Sequence, residues 1–514
     1  MPLLADLVAT SHRVAASPGR LNKVRELASF LGALATSDIE LAVNYLSGEI
    51  PQGKIGIAYK PLHAAAATHA AAEPLLSLSD VDRSLGAVAD LRGAGSTVLR
   101  AQALNALFAR ATPAEQQFLL RLLAGELRQG ALAGIMIEAI AAAADVPAPR
   151  VRQAAMYSNG LGPVARVALL DGAQALGAFQ LALFKPASPM LAQTAADPAE
   201  ALQELGGEAA FEWKMDGARI QVHKVADEVR IYTRSLNEVT AAIPEIVEAV
   251  RALSAHTLIL DGEAIAFDAR ERPHPFQITM RRFGRKLNVD AARADLPIRA
   301  FFFDCLHFQG QSIVDKPTTE RFDALAEALP ASMRVPRRVT SDPSEAAAFY
   351  DAAIDAGHEG LMAKGLHAPY EAGNRGAGWL KIKRAHTLDL VVLAAEWGHG
   401  RRVGRLSNLH LGALDSATGQ YVMLGKTFKG LTDATLEWQT TQLLARETHR
   451  DQWTVYVRPE LVVEIAFSDL QLSTRYPGGL ALRLARVKRY RDDKRVDEAD
   501  TMESVRSIKK LQHL

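Results

Sequence analysis

The sequence predicts a multidomain chain with an all-α domain first, an α+β domain second and a small β-barrel domain of the OB type last. Its 514 residues are too many for one hydrophobic core. Apolar residues recur at three- and four-residue spacing in the first third, which is typical of helices packed on helices. Short β-like runs begin near residue 209, and longer ones separated by turns fill the last part. We place the domains at residues 1–184, 185–384 and 385–514.

Composition restricts the class of protein. Hydrophobic residues make up 48% of the chain and the mean hydropathy is −0.01, which excludes a disordered or fibrous protein. The net charge is +1, from 59 Lys+Arg and 58 Asp+Glu, and excludes a protein that coats DNA by bulk charge. Because Cys305 is the single cysteine, an intrachain disulfide and a cysteine-rich zinc site are excluded, which indicates a reducing compartment such as the cytoplasm. Neither a secretion signal nor a membrane anchor is expected.

The first domain contains an internal echo. Residues 46–53 (LSGEIPQG) and 123–130 (LAGELRQG) agree at five of eight positions, and each follows a helical pattern and ends in Gly. Two interpretations stay open. Backbone N–H groups at these turns could bind phosphates on both sides of a duplex, or each echo is a helix end that Gly closes.

The second domain follows a segment at residues 184–192, FKPASPMLA, whose two prolines and serine predict a boundary and a short hinge. Strands are predicted at FEWK, ARIQVHK, EVRIYTRS, TLILDGEAIAFD, RAFFFDCLHF and GWLKIK, and a helix at IPEIVEAVRALSA. In the third domain, barrel strands are predicted at LDLVVLAAEWG, YVMLGKTF, TVYVRPELVVEIAF and ALRLARVKRY, with one helix near TDATLEWQTTQLLA.

The run EWKMDGAR at residues 212–219 is the sharpest feature of the chain. Since side chains alternate along a strand, Glu212 and Lys214 share one face. The Asp-Gly pair then predicts a turn into a second strand that carries Arg219. Lys214 is a candidate nucleophile if neighbouring cations or burial lower its pKa. The bland alternative is a surface lysine before an Asp-Gly hairpin.

Further polar residues predict a phosphate-binding pocket in the same domain. Lys381 and Lys383 lie on the same face of one strand, and Arg375 lies just upstream. Such converging cations suit a polyphosphate. Glu263 and Glu359 each stand beside a Gly, and carboxylate oxygens together with phosphate oxygens are the usual ligands of Mg²⁺. The alternative for either Glu is a solvated strand or loop end.

The chain resembles the ATP-dependent DNA ligases of the three-domain type, in the bacterial or archaeal branch with a helical DNA-binding domain at the N-terminus. The segments KMDGAR, TRSLNEVT, LDGE, FFFDCL, HEGLMAK and WLKIK occur in the order of the covalent nucleotidyltransferase motifs. The resemblance covers nearly the whole chain. It implies a helical DNA-binding domain, an adenylation (nucleotidyltransferase) domain and an OB-fold domain.

The resemblance implies a role for each motif residue. Lys214 would attack the α-phosphate of ATP to form lysyl-AMP. Glu212 would read the adenine amino group and Phe303 would stack on the base. The remaining contacts would be to ribose, phosphates and metal: Arg219 and Arg234 to ribose and phosphate, Glu263 and Glu359 to ribose and metal, and Arg375, Lys381 and Lys383 to the phosphates.

The run LRLARVKRYRDDK resembles the C-terminal motif that orients pyrophosphate in this family. Arg483, Arg486 and Lys494 are its candidates for contact with the β- and γ-phosphates. Ala485 stands where many relatives have proline. The alternative is a basic strand edge that blocks aggregation or touches DNA.

The resemblance also implies the partners of the chain: ATP, Mg²⁺ or Mn²⁺, and nicked double-stranded DNA. We expect a cytoplasmic monomer with no membrane contact and no identifiable protein partner, serving replication, repair or recombination. Rival functions are RNA ligation, mRNA capping and a non-catalytic DNA-binding scaffold. An NAD-dependent DNA ligase is disfavoured, because one cysteine cannot build the zinc site of that family.

Overall fold

A computed structural model represents the protein. It describes residues 3–53, 55–93, 95–127, 129, 133–158, 160–284, 288–371, 378–383, 386–398 and 402–512. No helix among these residues is long and apolar enough to cross a membrane.

The N-terminal region is helical, as the sequence predicts. Its helices are α1 (Leu4–Ala16), α2 (Arg20–Gly32), α3 (Ile39–Ser47), α4 (Tyr59–Ala66), α5 (Leu78–Asp90), α6 (Ser96–Ala109), α7 (Pro113–Leu123), α8 (Ala133–Ala144), α9 (Ala148–Met156) and α10 (Leu161–Ala175). Capping boxes fix the starts of α5 and α7: Ser77 pairs with Asp80, and Thr112 pairs with Glu115. One hydrophobic cluster runs through the region, from Leu4 to Leu176.

Both echo segments are helix ends closed by glycine. Gly48 follows α3 with φ +80°, and Gly125 follows α7 with φ +70°. The N–H groups of Gly48 and Glu49 donate to carbonyls of α3, and those of Gly125 and Glu126 donate to carbonyls of α7. Because these four donors are already used, the structure favours the closed helix ends over phosphate binding by these groups.

The middle region contains two sheets. The strands are β1 (Gln193–Thr194), β2 (Ala209–Trp213), β3 (Ala218–Val225), β4 (Glu228–Thr233), β5 (Thr257–Ala266), β6 (Ile298–Phe308), β7 (Gln311–Ser312), β8 (Arg337–Thr340), β9 (Gly360–Lys364) and β10 (Trp379–Lys383). The helices are α11 (Pro198–Glu204), α12 (Pro244–Arg251), α13 (Phe276–Phe283), α14 (Val289–Asp295), α15 (Thr318–Ala328) and α16 (Pro343–Asp355).

The first sheet has the order β1-β10-β9-β2-β8 and the second the order β4-β3-β5-β6-β7. Neighbouring strands are antiparallel, except that β1 runs parallel to β10. In the second sheet Phe302 and Cys305 are fully buried. Asp304 pairs there with Arg321 of α15 at 2.8 Å, and neither side chain is exposed.

The C-terminal region is a β domain. Its strands are β11 (His386–Trp397), β12 (Leu406–Asp415), β13 (Gln420–Thr427), β14 (Glu447–Arg450), β15 (Thr454–Val457), β16 (Val462–Phe467), β17 (Asp469–Leu472), β18 (Leu480–Arg483) and β19 (Arg486–Tyr490), with helices α17 (Asp433–Leu444) and α18 (Met502–Gln512). Long, bulged β11 pairs with β12 on one side and with both β15 and β16 on the other. One strand therefore joins three others in this sheet, and the OB type stays a prediction.

Two details differ from the sequence prediction. The run ALRLARVKRY forms two strands, β18 and β19, because Leu484 between them has φ +57°. The predicted hinge at residues 184–192, which we call the connecting segment, is fixed instead: Ala187 and Met190 are buried and side chains of β3 bind its backbone. The sequence indicated a hinge from the prolines of the segment. The β3 side chains that fix it could not be identified from the segment itself, because they lie far along the chain.

Candidate active site

A cavity of about 1030 Å³ is lined by both sheets of the middle region. Most of the residues singled out in the sequence line it, namely Glu212, Lys214, Arg219, Arg234, Glu263, Phe303, Glu359, Lys381, Lys383 and Arg483. Arg483 comes from the C-terminal β domain. The cavity therefore gathers the candidate nucleophile, carboxylates, cations and stacking residue into one site.

Lys214 stands where the chain passes from the first sheet to the second. Its N–H donates to Gly360 at 2.8 Å and its carbonyl accepts from Glu359 at 3.0 Å, so pairing with β9 continues past the end of β2. The next strand, β3, belongs to the other sheet. The predicted turn into a second strand that carries Arg219 is therefore confirmed and, unlike the hairpin of the bland alternative, this turn joins two sheets. Gly217 is required in it, because a Cβ there would lie 2.4 Å from the Ala264 carbonyl oxygen.

Gly360 separates the two lysines nearest the centre of the site. Lys383 pairs with Gly360 in register across β10 and β9, and Lys214 pairs with it on the other side. Without a side chain at Gly360, both lysines reach the carboxylate of Glu359. Lys383 Nζ lies 2.7 Å from Glu359 Oε2, and Lys214 Nζ donates to the same oxygen.

This arrangement sets the charges of the three groups. Burial lowers the pKa of Lys214, but Glu359, helped by Glu263, outweighs burial and raises the pKa above its ordinary value. Burial alone would raise the pKa of Glu359, whereas Lys214 and Lys383 lower it to about 2. Burial and Lys214 lower the pKa of Lys383. The expected low pKa of Lys214 is therefore wrong for this arrangement, because its strongest charged neighbour is a carboxylate.

Glu212, two residues before Lys214, marks the aromatic end of the cavity, near Phe303 and Trp379. Its carboxylate is held on both oxygens, by Arg337 Nη2 at 2.5 Å and by Lys364 Nζ at 2.7 Å. Lys364 Nζ also lies 4.3 Å from the ring centroid of Trp379 and 4.8 Å from that of Phe303. These aromatic rings beside a fixed carboxylate, which we call the base slot, suit a heteroaromatic base that carries an amino group.

Sequence reasoning missed three residues of this end. Lys364 is the last residue of HEGLMAK and Trp379 is the first residue of WLKIK. Both motifs were recognised in the sequence, but neither residue was assigned a role. Arg337 carried no motif signal, because its contact depends on the pairing of β8 with β2.

Arg219 is fixed by a carboxylate that the sequence did not single out. Its Nε and Nη2 donate to Asp261 at 3.0 and 2.6 Å, and the Tyr370 hydroxyl donates to Asp261 at 2.6 Å. The guanidinium lies 5.4 Å from the Phe303 ring centroid. Asp261 belongs to the LDGE segment, which the sequence brought out. Its pairing with Arg219 could not be predicted from that segment.

Glu263 contrasts with Glu359. It faces Arg219 in register across β5 and β3, and burial raises its pKa to about 7. One carboxylate of the site is thus held ionised and the other titrates near neutrality. Such separated pKa values are typical of functional sites.

The cationic residues near the cavity mouth fall into two groups. Arg234 is exposed and lines the cavity, and Arg483 lies 4.0 Å from Asp216. Arg486 and Lys494 do not line it: Arg486 is exposed on β19, and Lys494 Nζ lies 2.6 Å from Asp389. Phosphate contact by these two stays a prediction, and Arg375 lies outside the described residues.

The departure at Ala485 does not leave the preceding loop open. Ala485 is buried, and its carbonyl accepts a hydrogen bond from Thr427 Oγ1 at 2.6 Å. This contact fixes the loop where many relatives of the resembled family have proline.

Family models match three parts of the chain. The model described as ATP dependent DNA ligase domain matches residues 189–383, the one described as ATP dependent DNA ligase C terminal region matches residues 402–494, and the one described as DNA ligase N terminus matches residues 61–141. Together they touch each of the three regions described above.

Close relatives and a solved structure extend the likeness to the full chain. A protein of Anaeromyxobacter dehalogenans (strain 2CP-C), named Probable DNA ligase, is 56% identical over 98% of this chain and 99% of its own length. One of Mycolicibacterium gilvum (strain PYR-GCK) with the same name is 54% identical over 98% and 99%. The solved structure named Pmar-Lig_PreS3 is similar in fold, with a TM-score of 0.62 and 18% identity over 94% of this chain and 99% of that one.

Proposed function

Since this chain belongs to the ATP-dependent DNA ligases, we propose that its cavity performs the first step of strand joining, the attack of Lys214 on ATP. The observation that carries the proposal is the position of Lys214. Its amine lies in the wall of the cavity, between the base slot and a cluster of cations. Because the chain belongs to this family, we do not propose RNA ligation, mRNA capping or a non-catalytic scaffold as its function.

In the proposed step Lys214 Nζ bonds to the α-phosphorus of ATP as the bond from that phosphorus to the pyrophosphate oxygen breaks. The amine must first lose a proton to solvent. Glu359 holds it protonated in the arrangement described here, so Glu359 must first release Lys214, and a cation held by Glu359 would weaken that contact. Phosphoryl transfer depends on positioning and on neutralised charge, which Lys381 and Lys383 supply beside the nucleophile.

The other end of the cavity would select adenine. The carboxylate of Glu212 accepts from the 6-amino group, while Phe303 stacks on the base. Because Arg337 and Lys364 hold both carboxylate oxygens, Glu212 is fixed in orientation. A base with a 6-oxo group presents an acceptor there and is repelled, which predicts a preference for ATP over GTP.

A divalent cation, Mg²⁺ or Mn²⁺, fits the oxygen donors of the site. Glu263 and Glu359 would hold it together with phosphate oxygens. The phosphate oxygens are needed because the described residues contain no cluster of three or more side chains that could hold a metal ion. When bound, it would neutralise charge on the phosphates and orient them. Because burial raises the pKa of Glu263 to about 7, a cation held there would compete with protonation of that carboxyl.

Two further steps would complete the sealing of nicked double-stranded DNA. A 5′-phosphate oxygen at the nick bonds to the phosphorus of lysyl-AMP and frees Lys214. The 3′-hydroxyl then attacks the 5′-phosphorus, so that AMP leaves and a phosphodiester forms. Arg219 would contact the nucleotide, Arg234 at the exposed mouth would hold the 5′-phosphate, and Arg483 would meet the leaving pyrophosphate, with Arg375, Arg486 and Lys494 as its further contacts.

We extend the proposal to the rest of the chain. The helical region at residues 1–184 would bind DNA, residues 185–384 would form the adenylation domain, and residues 385–514 would form an OB-type barrel. The bulges of β11 and its pairing with three strands support the barrel. The single, buried Cys305 supports a cytoplasmic location, and we expect a monomer.

Incubation with α-labelled ATP and Mg²⁺ tests the first step. We expect a labelled protein whose bond is labile to acid and stable to alkali, as a phosphoramidate is. Lys214→Ala must abolish the label, whereas Lys316→Ala, at an exposed lysine that pairs with Glu320, must leave it unchanged. A Lys214→Ala protein that still takes label would show that another residue is the nucleophile.

A second experiment offers a nicked duplex with ATP, GTP or NAD separately. Sealing with ATP is expected. Sealing with NAD alone, or of nicked RNA but not nicked DNA, would contradict the proposed cofactor or substrate.

A further inference from the structure

The connecting segment is bound along its length by one strand. On β3, Arg219, Gln221 and His223 point to the same face, and each bonds to its backbone. His223 Nδ1 accepts from the Phe184 N–H at 2.9 Å, and Gln221 Oε1 accepts from the Ala187 N–H at 2.8 Å. Gln221 Nε2 also donates to the Ala187 carbonyl at 3.2 Å. Three alternate side chains of one strand thus set the path of the segment.

The two inner side chains support each other. Gln221 and His223 are 5% and 0% exposed. Burial lowers the pKa of His223 to about 3, so the ring is neutral and Nδ1 is free to accept. Nε2 then carries the proton and donates to Gln221 Oε1 at 2.9 Å. A buried, fully connected pair of this kind holds one geometry, because breaking any bond leaves a buried polar group unpaired.

The far end of the connecting segment is a wall of the nucleotide cavity. Met190 and Ala192 line the cavity, and the Met190 carbonyl accepts from Arg219 Nη1 at 2.7 Å. Met190 packs in a cluster with Trp379, against which Phe303 also packs. The path of the segment therefore fixes both the base slot and the guanidinium of Arg219.

The middle of the segment is tied to the helical region. The Ser188 N–H donates to the Met156 carbonyl at the end of α9, at 2.8 Å. Met156 and Tyr157 pack against the same cluster as Phe303. The segment thus contacts α9 just before it reaches the cavity wall, and the two β3 side chains bind the part that precedes both contacts.

We propose that Gln221 and His223 are positioning residues for ATP: they place the connecting segment so that Met190 and Arg219 form the nucleotide wall. The inference rests on the proposed binding of ATP in this cavity. Neither side chain touches the nucleotide, and both act through the backbone that they bind.

The test is the dependence of self-adenylation on ATP concentration. Gln221→Met keeps the volume and removes both bonds to Ala187. His223→Phe removes the acceptor for the Phe184 N–H, and His223→Asn returns an acceptor near the place of Nδ1. We expect the KM for ATP to rise about tenfold in Gln221→Met and His223→Phe, with kcat within threefold of the parent, and to recover in His223→Asn.

A matched control comes from the next residue of β3. Lys224 is as deeply buried, but it donates to the carbonyls of Leu253 and Ala255 after α12 and does not touch the connecting segment. Lys224→Met therefore removes buried hydrogen bonds from the same strand. It is expected to lower the fraction of chargeable protein and to leave the KM for ATP unchanged.

If Gln221 and His223 only stabilised the fold, all the variants would behave like Lys224→Met, with fewer active molecules and an unaltered KM. That result would overturn the positioning role. Sealing of a nick that already carries AMP, with no ATP present, reports folding independently and should stay within threefold of the parent. An equal loss in this reaction would also overturn the inference. Failure of the proposed function looks different, because the unaltered protein would then take no label from ATP.

Discussion

Substitution of Gly360 by alanine tests whether the spacing of β9 and β10 governs catalysis. A Cβ on Gly360 would lie 2.2 Å from the Ile382 carbonyl oxygen, whereas such contacts are essentially never under 3.0 Å. The strand that carries Lys381 and Lys383 must therefore move by at least about 0.8 Å. A displacement of about 1 Å at a reacting centre costs about 100-fold in rate. We expect the rate of self-adenylation to fall by about that factor.

The assay is single-turnover charging with α-labelled ATP at saturating concentration. Gly360 also has φ +136°, so the variant carries backbone strain in addition to the collision. Gly310→Ala separates the two effects, because Gly310 has φ +86° between β6 and β7 and a Cβ there meets nothing within 4 Å. That control should lose about 1–2 kcal/mol of stability and none of its charging rate. A Gly360→Ala protein that charges within threefold of the control would refute the reasoning.

Two other predictions concern the ion pairs of the middle region. Arg321→Met leaves Asp304 unpaired in the core and should cost about 3–5 kcal/mol, seen as faster hydrogen exchange in β6. Arg338→Met, at an exposed pair, should cost under about 1 kcal/mol, and equal losses would contradict the argument. Glu359→Gln removes the charge that raises the pKa of Lys214, so more of the amine is free at a given pH. A lysine-acylating reagent at pH 8 should then label Lys214 faster than in the parent, and slower labelling would contradict the assigned cause.

The sequence predicted the members of the site better than their contacts. Glu263 and Phe303 stand on strands and Lys214 directly follows one, their alternation and motifs were readable, and the structure brings the three to one cavity. Arg337 and Tyr370 were missed because their roles depend on which distant strands pair and on where a loop returns. Such pairings are set by the packing of the whole sheet rather than by local pattern.

Two sequence predictions were wrong for related reasons. The low pKa of Lys214 and the hinge at residues 184–192 were each predicted from the local composition of a segment. In each case a residue distant in the chain decides the outcome: Glu359 sets the charge, and Gln221 binds the segment. The strand β12 also escaped prediction, although its neighbours β11 and β13 were found.

Because Cys305 is buried, the natural chain can be labelled selectively at an introduced cysteine. The Cys305 side chain is fully buried in β6, and burial raises the pKa of the thiol. Thiol reagents therefore reach it only when the second sheet opens, and the rate of its modification measures that opening. A cysteine introduced at an exposed position such as Leu472, which is 75% exposed, would carry a dye alone. Movement of the C-terminal region is thus open to fluorescence measurement without first removing a native cysteine.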